Sequence, residues 1–184
     1  MKRLAFSDPM MRALAAGQKT MTRRPEKRID RCKEYLFDAR EGVLRPRGKS
    51  LARARRPRCK VSDFVAATCA YCEVDDWVEY RFSSPNQNDW KTSRIMPADL
   101  APFVLRITAV RAERLGEISE EDAVKEGMLQ WAGETFHDFR LETNSARWFF
   151  ERCWDHLYGA GAFERDAASW VWVYTFEVVE RRVS

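Results

Sequence analysis

The segment Trp170–Val179 (WVWVYTFEVV) constrains the chain most, because it is almost entirely aromatic or β-branched. Such a run fits a pleated strand, and with apolar side chains pointing to both faces it must be covered on both. It is therefore expected to close a sheet at the centre of the fold. Phe103–Glu113 (FVLRITAVRAE) is a second clear strand, in which Val104, Ile107 and Val110 alternate with outward arginines. Lys2–Phe6, Tyr35–Phe37 and Val61–Tyr71 (VSDFVAATCAY) read as further strands. Three helices are expected between them, giving an α+β chain.

The first helix covers Met10–Ala16. Asp8 is placed as its cap, Pro9 at its first position and Gly17 as its stop, with Ser7 in the same turn. The second opens at Ser119 with Glu120, Glu121 and Asp122 in its first turn, and ends near Gly127. The third spans Ala146–Leu157, where Trp148, Phe149, Cys153, Trp154 and Leu157 form a broad apolar stripe that reads as core. Aromatic residues Trp77, Tyr80 and Phe82 fit hairpin packing as well as a platform for bases.

A length of 184 residues fits one domain over 1–184, with a basic insertion at about 25–60. Apolar residues are 45% and charged residues 33%, and no apolar window is long enough to span a bilayer. The start meets a charge and a proline too early for a secretory leader, so a soluble, cytoplasmic protein without a membrane partner is expected. Net charge is only +4, but its distribution is uneven. Arg45, Arg47, Lys49, Arg53, Arg55, Arg56, Arg58 and Lys60 fall in one stretch without an acid. A phosphate backbone would reward that stretch by counterion release, and a solvated loop explains it equally well.

Five cysteines are an odd set for a disulfide framework. Cys69-x-x-Cys72 with Cys153-x-x-His156 has a zinc-compatible composition, but nothing in the sequence brings the pairs together, and free thiols are the simpler reading. No metal and no cofactor is expected.

Immediately past the first helix lies a short polar run, Gln18–Arg24 (QKTMTRR), at a place where loops often carry binding or chemistry. Glu126 stands at the end of the second helix, where an acid opposes the helix dipole. A functional acid would look like this, although most such glutamates face water.

GQKTMTRR (Gly17–Arg24), preceded by LAFSDPMMRALAAG and followed by ISEEDAVKEG (Ile118–Gly127), closely resembles the ASCH domain family, whose fold is similar to the PUA domain of RNA-modifying systems. WKTSRIMP (Trp90–Pro97) and the closing strand look like a phage and prophage branch of that family. The resemblance implies a PUA-like, partly closed β-barrel with flanking helices and a cleft for RNA or a nucleotide. Some small bacterial members are amidohydrolases that remove the acetyl group from N4-acetylcytidine with a lysine, a threonine and a glutamate. Carried over by position, these are Lys19, Thr22 and Glu126, with Arg24 as the accompanying arginine. Thr20 and Arg23 flank them as further substrate contacts. The branch commonly has Gly-Asp-x-Leu-Trp-Val-Arg-Glu where this chain has Ser62–Cys69 (SDFVAATC), so its arginine and glutamate are missing here.

Amide hydrolysis needs a nucleophile, a proton acceptor, an oxyanion partner and a donor to the leaving nitrogen. On the resemblance, Thr22 attacks or positions water, and a Lys19 of lowered pKa accepts the proton. Arg24 steadies the oxyanion or a phosphate, and Glu126 protonates the amine. The alternative is a non-catalytic PUA-like module that binds RNA or DNA; a phage-assembly role is a third, less defined reading. The enzyme requires Glu126 close to Lys19 and Thr22, whereas a wide separation favours the binding module.

Overall fold

The computed structural model describes residues 1–27, 34–47, 53–74, 77–84, 89–129, 132 and 145–182. Its centre is a ribbon of two antiparallel strands, β8 (Phe103–Arg114) and β9 (Trp170–Arg181). The first half of β9 is buried on both faces, as its composition demands, and Val173 and Tyr174 are almost fully enclosed. Both strands run past the expected ends, to Arg114 and Arg181, and along the exposed face cross-strand pairs such as Arg106 with Glu177 hold the ladder.

Short strands flank this ribbon. β5 (Phe64–Thr68) pairs antiparallel with β8, and β1 (Lys2–Ala5) pairs parallel with β5. On the other side β2 (Met21–Pro25) pairs antiparallel with β9, so the order is β1-β5-β8-β9-β2. This corrects the partly closed barrel: the sheet is open, with β1 and β2 as its edges. The reason lies in the register. β5 lies along Phe103–Arg106 at one end of the ribbon, whereas β2 lies along Val171–Thr175, which faces the other half of β8. The flanks are thus offset diagonally, and among the described residues no ladder joins them.

Helix α1 (Asp8–Ala15) presents Met10, Met11, Ala13 and Leu14 to the core. Its cap is Ser7 and not Asp8, because the Asp8 carboxylate is taken by Arg81 at 2.6 Å; Pro9 is therefore one position further in. Helix α2 (Glu120–Lys125) follows the short 3-10 turn Leu115–Glu117, and the Ser119 hydroxyl accepts from the Asp122 amide as expected. Helix α3 (Ala146–Tyr158) is joined to α2 by Glu120, whose carboxylate accepts from the first amides of α3. The short α4 (Ala162–Asp166) leads into β9.

The expected strand Val61–Tyr71 is two: the chain leaves β5 at Thr68 and starts β6 (Tyr71–Val74), which forms a hairpin with β7 (Trp77–Tyr80). Tyr80 and Phe82 are packing residues, buried in line with Phe103. Within the insertion, β3 (Tyr35–Asp38) and β4 (Val43–Pro46) form a hairpin seated through Tyr35, Val43 and Leu44, with Phe37 edge-on to Trp172.

Leu105 is wholly buried on β8 and Phe64 is largely exposed on β5. Leu105→Ala is expected to cost about 2–5 kcal/mol in urea unfolding, against roughly 0.5 kcal/mol or less for Phe64→Ala. Equal losses would contradict this placement of the core.

Candidate functional site

The turn after α1 sets the site. Gly17 takes a left-handed conformation, and the amides of Gln18 and Lys19 both donate to the Ala13 carbonyl, which folds the chain back beneath the helix end. Thr20 then donates its amide to the Lys125 carbonyl at the end of α2 and accepts from the Phe176 amide of β9. The polar run QKTMTRR is therefore the entry into β2, clamped between α2 and β9.

Glu126 caps the C-terminus of α2, and Gly127 leaves it with φ +83°. A Cβ on Gly127 would lie 2.9 Å from the Ala13 Cβ and 3.3 Å from the Lys19 Cβ. The absence of a side chain at 127 thus lets the ends of α1 and α2 press together, and brings Glu126 onto Lys19.

Lys19 Nζ donates to the Glu126 backbone carbonyl at 2.6 Å and to its Oε2 at 2.8 Å. Both side chains are almost fully enclosed, with 2% and 5% exposure, so this is a buried ion pair. Arg23 holds the other carboxylate oxygen at 3.2 Å and also reaches Asp122 at 2.6 Å and Glu113 at 2.7 Å. Arg111 of β8 shares Asp122 and Glu113. The acid that opposes the α2 dipole is thereby neutralised from two sides.

Burial lowers the Lys19 pKa from its ordinary value, against the opposing pull of Glu126, and Arg24 lowers it further. At Asp122 burial acts upward, but the bonds and charges of Arg23 and Arg111 together outweigh it and hold the carboxyl below its usual range. The Cys153 thiol is pushed up to about 12, chiefly by burial, and is an inert part of the wall.

Lys19, Thr22, Arg23, Arg24 and Glu126 line one cavity of about 180 Å³. Its other walls include Phe6, Phe150, Trp154 and Tyr158. Thr22 is buried in this wall, on β2 opposite Tyr174. Among the described residues, the carboxylate of Glu126 is bonded to Lys19 and Arg23, with no direct bond to Thr22. Arg24 lies over the Phe6 ring at 5.1 Å and donates one terminal nitrogen to the Ala5 carbonyl at 2.5 Å. Its Nε is buried without a hydrogen-bond partner. Thr20 lies outside the wall, its backbone used in the clamp.

The basic stretch stands apart from this cavity. Arg45 pairs with Asp38 and Glu41, and Arg47 with Glu34. Leu44 and Arg55 exchange backbone bonds, while the Arg58 amide donates to the Tyr174 hydroxyl. Arg53, Arg56 and Lys60 are exposed, and Lys49 lies outside the described residues. Among the described residues no group of three His, Cys, Asp or Glu could hold a metal. Cys69 lies near Asp8 and Arg81, whereas Cys153 lies near Lys19 and Glu126, so the two pairs do not form one site.

Sequence reasoning missed Glu113 and Asp122 as partners of Arg23, Arg111 as the second cation on them, and Phe6, Phe150 and Tyr158 as walls. Asp122 looked like a dipole-favoured acid in a helix start; only the pairing of α2 with β2 gives it a second role.

These features define a pocket with aromatic walls, a buried ion cluster and one unpaired guanidinium donor. No protein-family model and no curated protein matches the chain. Among solved structures, an Enterococcus faecalis protein of the DUF984 family aligns over 100% of this chain and 84% of its own, with 12% identity and a TM-score of 0.45. An ASCH domain from Lactobacillus crispatus aligns over 97% and 80%, with 14% identity and a TM-score of 0.41.

Two outcomes are expected. Glu126→Ala leaves Lys19 and Arg23 buried without their shared partner and is expected to cost about 3–5 kcal/mol; adding Lys19→Met recovers part of that. A double variant no more stable than the single one would contradict the coupling. The second concerns pH. Because Asp122 has a depressed folded pKa, its contribution is complete above the ordinary aspartate value of about 3.9 and is lost as pH falls through the lower folded value. The urea midpoints of wild type and Asp122→Asn should keep a constant gap above about pH 5 and draw together progressively as pH falls below about 3.9.

Proposed function

We propose that this cavity takes a single nucleobase, of a modified nucleoside or of a nucleic acid. The observation that carries the proposal is the buried, unpartnered Nε of Arg24 in the wall of an aromatic space of about 180 Å³. A cavity of roughly 150 Å³ accommodates a benzene ring, so the space suits one planar heterocycle. Orphaned buried donors are costly, and a ring carbonyl or acyl oxygen is the acceptor this one lacks. The rings of Phe6, Phe150, Trp154 and Tyr158 supply apolar walls, and the polar residues gather on the β2 side, as expected for a site that orients its ligand. The match of Lys19, Thr22, Arg24 and Glu126 to the ASCH pattern supports the same reading.

A second reading, removal of an acyl group from N4-acetylcytidine or a related base, is favoured by the lowered pKa of Lys19 beside Thr22. In that reading neutral Lys19 accepts the Thr22 proton as the hydroxyl oxygen bonds to the acyl carbon. Arg24 holds the oxyanion. The C–N bond then breaks as Glu126, having taken the proton from Lys19, passes it to the leaving amine. Water hydrolyses the threonyl ester and releases acetate. The direct bond of 2.8 Å between Lys19 Nζ and Glu126 Oε2 gives this relay its path.

Titration of cytidine and N4-acetylcytidine into the protein, followed by tryptophan fluorescence, tests the pocket, and acetate release tests the chemistry. Saturable binding is expected, weakened about tenfold or more in Arg24→Met, equivalent to roughly 1.4 kcal/mol. Acetate release that disappears in Thr22→Val while binding persists would establish the hydrolase. Binding without release leaves the non-catalytic reading, and no saturable binding of either compound refutes the pocket.

A further inference from the structure

We infer that the base recognised in the cavity belongs to a single-stranded polynucleotide, whose adjoining nucleotide occupies a second cavity behind Trp154 and Tyr158. The inference rests on the base-pocket reading above and concerns what lies beside that base.

Beyond the single orphaned Nε–H of Arg24, which the base reading assigns to a ring or acyl oxygen, the first cavity offers a phosphate no uncommitted cation. Lys19 and Arg23 are committed to buried carboxylates, and Arg24 is turned to the Ala5 carbonyl and the Phe6 ring. A free nucleotide or a strand must place its charge elsewhere.

Next to it is a larger cavity of about 530 Å³, lined by Lys27, Arg114, Arg165 and Trp170 among others. The two cavities share Trp154 and Tyr158, whose rings are in contact at 4.6 Å between centroids and form the partition. Arg114 lies over the Trp170 ring at 4.2 Å and donates to the Ala168 carbonyl at 2.6 Å. Among the described residues neither Arg114 nor exposed Lys27 is paired with a carboxylate. Trp170 also carries a buried indole N–H without a partner. The two acids of the lining are occupied: Glu26 accepts from the Trp172 indole at 2.9 Å, and Asp166 is paired with Arg165 at 3.3 Å. Aromatic faces with unpaired cations at the rim are what one stacked base and its phosphate require.

A third cavity of about 370 Å³ adjoins the first on the opposite side, through Ala5, Phe6, Ser7 and Leu157. Its cations are already satisfied, Arg81 by Asp8 and Lys91 by Glu73. The asymmetry assigns the phosphate to the Arg114 side.

The test compares nucleosides with octamers, by fluorescence anisotropy at several salt concentrations. Ribo- and deoxyribo-octamers carry one central cytidine or N4-acetylcytidine in a uridine or thymidine background. At least tenfold tighter binding is expected for the octamer than for its nucleoside. The Lys27→Ala/Arg114→Gln variant should lose most of that gain, lower the salt slope by about 0.7 per phosphate contact removed, and leave nucleoside affinity unchanged. Lys27→Ala alone guards against a folding defect at Arg114 and should lose part of the gain. The ribo and deoxyribo arms separate RNA from DNA as the source. Nucleoside binding with no octamer gain, or a gain indifferent to both variants, overturns the second cavity and leaves the base pocket standing. An octamer that binds through Lys27 and Arg114 while nucleosides do not bind overturns the base pocket instead. Silence of both ligands overturns the two together.

Discussion

Everything around the cavity depends on the carboxylate of Glu126, held between Lys19 and Arg23 at distances of 2.8 and 3.2 Å. Three elements meet there: the turn after α1, strand β2 and the end of α2. Two buried cations and a helix-end acid are each unfavourable alone, since burial and the helix dipole both act against them. With Arg111, Glu113 and Asp122 included, three cations face three acids, so the cluster is neutral enough to bury, and its geometry leaves little freedom. The ion cluster thereby fixes the side chains of β2 that line the cavity, and Gly127 permits the approach on which the cluster depends.

The open sheet gives the site its location. β2 is an edge strand, and its outer side faces the gap toward the end of β1. An unsatisfied edge is a pairing hazard that proteins blunt with charge or cover. Here Arg24 crosses the gap and bonds the Ala5 carbonyl, so one side chain does in part what a closing ladder would do in a barrel. The gap then remains wide enough for a cavity, with α3 laying Phe150, Trp154 and Tyr158 against it.

Much of the frame was legible in the sequence because it is written locally. The composition of β9, the serine cap of α2 and the apolar stripe of α3 each report a nearest-neighbour preference, and each element formed, although Leu157 of that stripe is exposed and Trp148 only partly buried. The candidate residues Lys19, Thr22, Arg24 and Glu126 were named through a resemblance; spacing alone gave only a polar loop and an ill-placed acid. What stayed hidden depends on distant register. The openness of the sheet follows from the diagonal offset of β5 and β2 along the ribbon, which no local pattern encodes. Whether the zinc-compatible pairs meet is likewise a matter of distant register, and Cys69 and Cys153 lie on separate parts of the fold. The basic insertion looked like a uniform charge run, yet Arg45 and Arg47 find acids within its own hairpin.

Five of the cations around the two cavities fall into three states, and the states carry different work. Lys19 and Arg23 are buried and fully paired, so they set geometry and local proton affinity and have no long-range attraction left to exert. Arg24 is partly committed, with one terminal nitrogen on a carbonyl and its Nε orphaned, which makes it a short-range donor for whatever enters the cavity. In the strand proposal Arg114 and Lys27 would use their charge on an outside anion, because the acids beside them are occupied by Trp172 and Arg165. Charge that is exposed and unpaired attracts a polyanion over roughly a Debye length of about 8–10 Å, whereas buried charge acts only on contact. A strand would therefore be drawn first to the Arg114 side, and the base would be sorted afterwards by the cavity, with attraction and discrimination residing in different residues.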